Sequence, residues 1–147
     1  MPDEEPIFAF PDAASLVGAT SRAKATLAYF RKAFAAQLRK GAFYGVKIHF
    51  RKPDGDDGAH IWLQVNQLFE DLYFCSPIEL PSGFVGLKMG ESKLATDDEI
   101  EDWMILDDGT LYGGFSLRAI REQLPPSKQN EFDSHMGVVR YADGIHE

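Results

Sequence analysis

Hydrophobic positions in this chain recur with two different periods, and the change of period divides it. Ala23, Leu27, Phe30, Phe34 and Leu38 are spaced by four, three, four and four residues, which places them on one face of a helix. The spacing predicts a long N-terminal helix over residues 19–40. Thr20 or Ser21 can cap it, because a short hydroxyl accepts from the orphan N–H groups of a first turn. Arg39 and Lys40 suit the negative end of its dipole, and Gly41 supplies a left-handed stop. From Phe43 the period falls to two. Tyr44, Val46, Ile48 and Phe50 alternate with Gly45, Lys47 and His49, the pattern of a half-buried strand.

The turn formers of residues 53–58 lead into a second strand, His60–Asn66. Ile61, Leu63 and Val65 take one of its faces, and His60, Trp62, Gln64 and Asn66 the other. Further strands are predicted over Leu72–Cys75, Lys93–Ala95 and Trp103–Leu106, with a helical turn from Thr96 or Asp97 through Ile100. Trp103–Leu106 is apolar on both faces, so it is expected to be sandwiched. Asp107-Asp108-Gly109-Thr110 reads as a hairpin turn, and Gly113-Gly114 as a bend or close backbone approach. Ser116 is placed to cap a helix over Leu117–Leu124, stopped by Pro125-Pro126, and a last helix covers Ser127–Met136. Between Pro77 and Gly90 the chain is looser, pinned by Phe84, Val85 and Leu87. Residues 1–18, with three prolines, read as a lead-in arm docked by Ile7, Phe8 and Phe10.

A length of 147 residues fits one domain, and 44% hydrophobic residues supply a core. No window is apolar enough to span a bilayer, the acidic N-terminus lacks a secretory layout, and Cys75 has no partner for a disulfide. A cytoplasmic protein without a membrane partner is the expectation. Charge adds more. Residues 1–50 carry a formal +3 and residues 51–147 a formal −11, within an overall −8. That balance argues against nucleic acid, whose phosphates need a basic face, and suits a basic protein partner.

The residues contain no convincing catalytic set. The four histidines, His49, His60, His135 and His146, lack the i, i+4 spacing of helical metal sites. His49 and His60 can face each other across adjacent strands near Asp54–Asp57. They are read as surface histidines, so neither metal nor cofactor is expected. Cys75, inside an aromatic strand, reads as a buried inert thiol. The acids at 97–102 and 107–108 read as a solvated rim. Trp62, on the polar face, is either a recognition anchor or covered by the N-terminal helix or the 77–90 loop.

Several motifs carry a resemblance. They are Val46-Lys47-Ile48, His60-Ile61-Trp62-Leu63, Pro77, Leu87-Lys88-Met89-Gly90, and above all Ile100, Asp102-Trp103-Met104, Asp108-Gly109, Gly113-Gly114-Phe115 and Arg118. Over residues 43–122 the chain resembles the YegJ-like family of bacterial domains of unknown function. Ala59 stands where that family usually has an acid, and Tyr73, Phe74 and Cys75 where it usually has a glycine and an asparagine. The resemblance implies a small, strongly bent or barrel-like sheet, brings no enzymatic activity with it, and points to immunity proteins encoded beside toxin genes.

The expected fold is therefore α+β: an N-terminal helix (19–40) on a curled, mostly antiparallel five-stranded sheet within the family-like core (43–122), followed by a C-terminal helix and tail (123–147). The expected function is an immunity protein that neutralises a cognate toxin or effector, with no catalysis of its own. Asp54, Asp56, Asp57, Asp97, Asp98, Glu99 and Glu101 would supply acidic contacts, with Trp62 and Phe84 as apolar anchors. The alternative is a small-ligand-binding regulatory domain that uses Lys47, His60, Trp62 and Arg118 on the concave side of the sheet.

Overall fold

The period-two segments after Phe43 pair into one open sheet with helices on both faces. The computed structural model describes residues 13–36, 41–50, 59–80, 84 and 86–142, with side chains from Leu16 onward. In chain order the elements are α1 (Ala13–Ala25), α2 (Leu27–Ala36), β1 (Phe43–Phe50), β2 (Ala59–Phe69), β3 (Leu72–Pro77), β4 (Lys93–Thr96), a single 3-10 turn (Asp97–Glu99), β5 (Ile100–Asp107), β6 (Thr110–Gly113), α3 (Phe115–Glu122), α4 (Pro126–Met136) and β7 (Arg140–Tyr141). The strand order is β4-β3-β2-β1-β5-β6-β7. All pairs are antiparallel except β6–β7.

The α+β class holds, and three details are corrected. The sheet has seven strands, because β6 is the return arm of the Asp108–Gly109 turn and β7 is too short to show a period. It is not closed: β4 and β7 lie at opposite edges. The N-terminal helix is two helices. α1 already begins at Ala13, inside the stretch read as an arm, so Thr20 and Ser21 lie in its interior and cap nothing. The break falls at Thr26, whose hydroxyl donates to the Arg22 carbonyl at 2.8 Å, a back-bond that competes with the helical ladder. Ile7, Phe8, Phe10, Val85, Leu38, Arg39 and Lys40 lie outside the described residues.

The alternation in β1 and β2 sorts side chains to two cores. Leu27, Phe30 and Ala33 of α2, with Ala19 and Ala23 of α1, pack on Val46, Ile48, Ile61, Leu63, Val65, Tyr73, Cys75 and Trp103. On the opposite face Leu117 of α3, Phe132 of α4 and Leu124 between them pack against Met104 and Leu111. β5 lies between both layers and is buried on both faces from Asp102 to Ile105, as its composition predicts. Each large side chain fully buried this way contributes about 1.5–3 kcal/mol.

Two backbone features aim the residues that matter below. At the 108–109 turn both central residues have positive φ (Asp108 +50°, Gly109 +86°), which matches the twist of a two-residue hairpin. Between β1 and β5 the register slips: Lys47 opposes Asp102 and Ile48 opposes Ile100, leaving Glu101 as the extra residue of a bulge. Without the bulge Glu101 and Asp102 would point to opposite faces; with it both are directed to the face of Lys47 and His60.

Candidate functional site

The polar parity of β1 and β2 is covered in part by helices, while His60, Gln64 and Asn66 stay exposed. α3 and α4 roof the β5–β6 side of that face, and α1 packs against α3. Together they enclose a cavity of about 370 Å³. Leu16 and Thr20 of α1, Lys47 of β1, His60 and Trp62 of β2, Glu101 of β5, Ser116, Leu117 and Ile120 of α3, and Met136 of α4 line it. The cavity is apolar on the helix side and charged on the strand side.

Its floor is held by a buried carboxylate. Asp102 is fully buried and accepts from the Trp103 N–H (2.8 Å), the Phe115 N–H (3.1 Å), the Ser116 N–H (2.8 Å) and the Ser116 hydroxyl. The Phe115 and Ser116 N–H groups are orphan donors of the first turn of α3, so Asp102 does from β5 what a capping residue does locally. Ser116 is therefore not the cap; it is the second residue of a helix whose N-cap is Gly114. Burial pushes the Asp102 carboxyl above the usual carboxylate range, against the pull of its Ser116 and Phe115 donors and the Lys47 charge. The Ser116 hydroxyl, spent on this carboxylate, is structural rather than a nucleophile in waiting.

At the mouth, the antiparallel register sets His49 directly opposite His60. Their rings stack with centroids 4.0 Å apart and planes 11° apart. His60 Nδ1 lies 2.6 Å from Glu101 Oε1, across β1. One donor atom from each of His49, His60 and Glu101 falls within 4.8 Å of the others, so these are the described residues able to hold a metal ion together.

Of the residues assigned from sequence to a ligand site, Lys47, His60 and Trp62 meet in the cavity. Arg118 does not: its Nε donates to the Gly113 carbonyl at 2.7 Å, and its guanidinium lies over the Tyr141 ring. Trp62 is half-buried against the Met104–Leu117 cluster and shares the cavity with Leu16 and Thr20 of α1 as well as with α3 and α4. Phe84 packs edge-on against Phe50 at 5.3 Å.

The acids of 97–101 do not form one rim. Asp97 binds Arg31 through both oxygens at 2.8 Å and accepts the Tyr73 hydroxyl at 2.7 Å. Glu99 pairs with Lys93 at 2.9 Å, and Glu101 with His60 on the other face. Asp98 remains exposed. Asp54, Asp56 and Asp57 lie outside the described residues. Cys75 is fully buried, and burial pushes its thiol up to about 12, so it is unreactive at neutral pH.

Leu16, Leu117, Ile120 and Met136 were not assigned to a site from sequence, and Thr20 only to a helix cap, since on helices such residues read as ordinary core or surface positions. The hairpin register that joins His49 to His60 was legible; the bulge that adds Glu101 was not.

An open mixed sheet with helices on both faces and a cavity over its polar side defines an α+β domain with a potential binding site. The chain belongs to the DUF2314 family, described as uncharacterized proteins conserved in bacteria, whose pattern matches residues 13–139. It is also similar to a Neisseria meningitidis serogroup B protein named “Putative ankyrin repeat protein”, with 31% identity over 128 residues. That match covers 82% of this chain and 50% of the relative, so the chain spans about half the length of the curated relative it matches. No solved structure matches it. Among the described residues no helix is long and apolar enough to cross a membrane.

Proposed function

We propose that this chain is a recognition domain that binds its ligand in the cavity between α1, α3 and the polar face of the sheet. The observation that carries this reading is the composition of the cavity wall. Leu16, Trp62, Leu117, Ile120 and Met136 offer an apolar bed, while Lys47, His60 and Glu101 converge from three adjacent strands. A volume of about 370 Å³ lies within the range of small-molecule sites. The chemistry suits a ligand with an apolar body and an anionic or hydrogen-bonding end directed at Lys47. A binding role without catalysis is part of the proposal. The half-length match supports a module that is joined to other parts in at least one relative. An ankyrin repeat is a helical unit of about 33 residues, unlike the sheet here, so the relative's name is taken to describe its other half.

The test is a thermal-shift screen of metabolites and short peptides against the wild type and Thr20→Trp, which fills the cavity from its rim. Ligands that raise the melting temperature of the wild type and lose that effect in Thr20→Trp support the reading. A flat screen, or shifts equal in both proteins, would count against it.

The second reading is the immunity protein suggested by the YegJ-like resemblance, favoured by the formal −11 over residues 51–147. Exposed Asp98, with Asp54, Asp56 and Asp57, would meet a basic toxin surface, while Asp97, Glu99 and Glu101 are engaged in pairs of their own. Co-expression with the product of the adjacent gene decides it: neither complex nor protection from toxicity would defeat this reading.

A further inference from the structure

His60 and Glu101 of the cavity wall also belong, with His49, to a cluster at the cavity mouth whose donor chemistry goes beyond ligand binding. We infer that His49, His60 and Glu101 form a site for a divalent first-row transition metal ion. The inference stands apart from the cavity reading, because it concerns the ion alone.

Two independent features of the fold bring the donors together. The β1–β2 register pairs His49 with His60, and both project from the polar parity of the sheet. The β1–β5 bulge adds Glu101 to the same face. The three donor atoms then lie within 4.8 Å of one another. Around one ion with bonds of roughly 2.0–2.2 Å, such atoms sit on the order of 3–3.5 Å apart. Closing the difference calls for rotation of the side chains. The stacked rings must turn, since an ion cannot lie in two parallel ring planes 4.0 Å apart. The room exists: the side chains of His60 and Glu101 are 45% and 25% exposed.

The donor set selects the class of ion. Two imidazoles and one carboxylate suit zinc, cobalt, nickel or ferrous iron, whereas calcium and magnesium prefer oxygen alone. Three protein ligands leave at least one coordination position open. His60 and Glu101 also line the cavity. The competing account is a plain hydrogen bond between His60 and Glu101 with His49 stacked beside it.

Protein prepared without a polyhistidine tag is titrated with Zn²⁺ by calorimetry and with Co²⁺ by visible absorption. The wild type, His49→Gln, His60→Ala and Glu101→Gln are compared, with circular dichroism and apo melting temperature confirming that each folds. The expected result is one ion per chain, with ligand-field cobalt bands that zinc displaces. Each substitution should weaken binding by about 10–100-fold, the range seen even when groups that only support a metal site are changed. Affinity should also fall with acid, because imidazole must be unprotonated to donate. Absence of binding by the wild type, or binding that any one of the three folded variants retains unchanged, overturns the site. If the metal binds as expected while the cavity screen stays flat, this inference holds and the cavity reading fails.

Discussion

The indole N–H of Trp103 donates to the hydroxyl of Thr26 at 3.0 Å, 77 residues away in sequence, and this bond fixes the joint between α1 and α2. Trp103 is fully buried among Tyr29, Phe30 and Phe115, so no water is at hand to replace the acceptor. Thr26→Val keeps the shape and removes the oxygen. It should cost about 1–3 kcal/mol, the penalty of an unsatisfied buried donor. Thr26→Ser, which keeps the hydroxyl, should cost less. Urea denaturation of the two variants checks this; equal losses would show that the methyl group, not the bond, matters.

Gly113 and Gly114 should differ sharply when replaced by alanine. Gly113 has φ +71°, and an added Cβ would stand 2.6 Å from both the Trp103 ring and the Trp103 carbonyl oxygen. Neither can move, because Trp103 is packed on all sides and its carbonyl accepts from the Gly114 N–H at 2.6 Å. At Gly114, with φ +64°, the added Cβ would meet the end of the Leu111 side chain at 2.9 Å, which can give way. Gly114→Ala should cost about 1–2 kcal/mol of backbone strain, and Gly113→Ala clearly more. Chemical denaturation gives both values, and the reverse order would refute the argument.

Asp102→Asn should destabilise the protein by about 2–4 kcal/mol. The amide presents N–H groups where two donors of Ser116 or the donors of Trp103 and Phe115 now point. Ser116→Ala removes one donor of four and should cost about 1.5–3 kcal/mol, typical of a hydrogen bond to a charged group. The midpoint of urea unfolding reports both. An Asp102→Asn variant as stable as the wild type would mean that α3 starts without this cap.

Acid should weaken the docking of α4 and β7 through Asp133. Arg121 donates to its two oxygens at 2.8 and 2.9 Å and Tyr141 donates at 2.6 Å, which hold the carboxyl below the usual range although partial burial opposes them. An unfolded aspartate titrates near about pH 3.9. The folded value is lower, so the unfolded state binds the proton first. The stability from this group is complete above that pH and lost as pH falls through the folded value. Asp133→Asn should lower stability by about 1 kcal/mol at neutral pH and flatten the decline below about pH 4. Stability measured from pH 2 to 7 in both proteins tests the sign.

The sequence by itself determined five of the seven strands and the tight turn after Trp103–Leu106. The alternation of Tyr44–Phe50 and His60–Asn66 identifies two strands, and the apolar Trp103–Leu106 run marks the one buried on both faces. Asp108-Gly109 identifies its hairpin, because period, apolar content and positive φ are local properties. It also put Lys47, His60 and Trp62 on one side of the sheet and allowed His49 to meet His60, since a hairpin register follows from its turn. Tertiary structure decided the rest. The helix break at Thr26 puts its hydroxyl where it accepts from the distant Trp103 indole N–H, and a cap for α3 needs Asp102 from another strand. The position of Glu101 depends on a bulge set by the β1–β5 register, and the cavity exists only where α1, α3 and α4 come to rest. Each of these turns on which distant groups share one small space, and spacing along the chain carries no record of that.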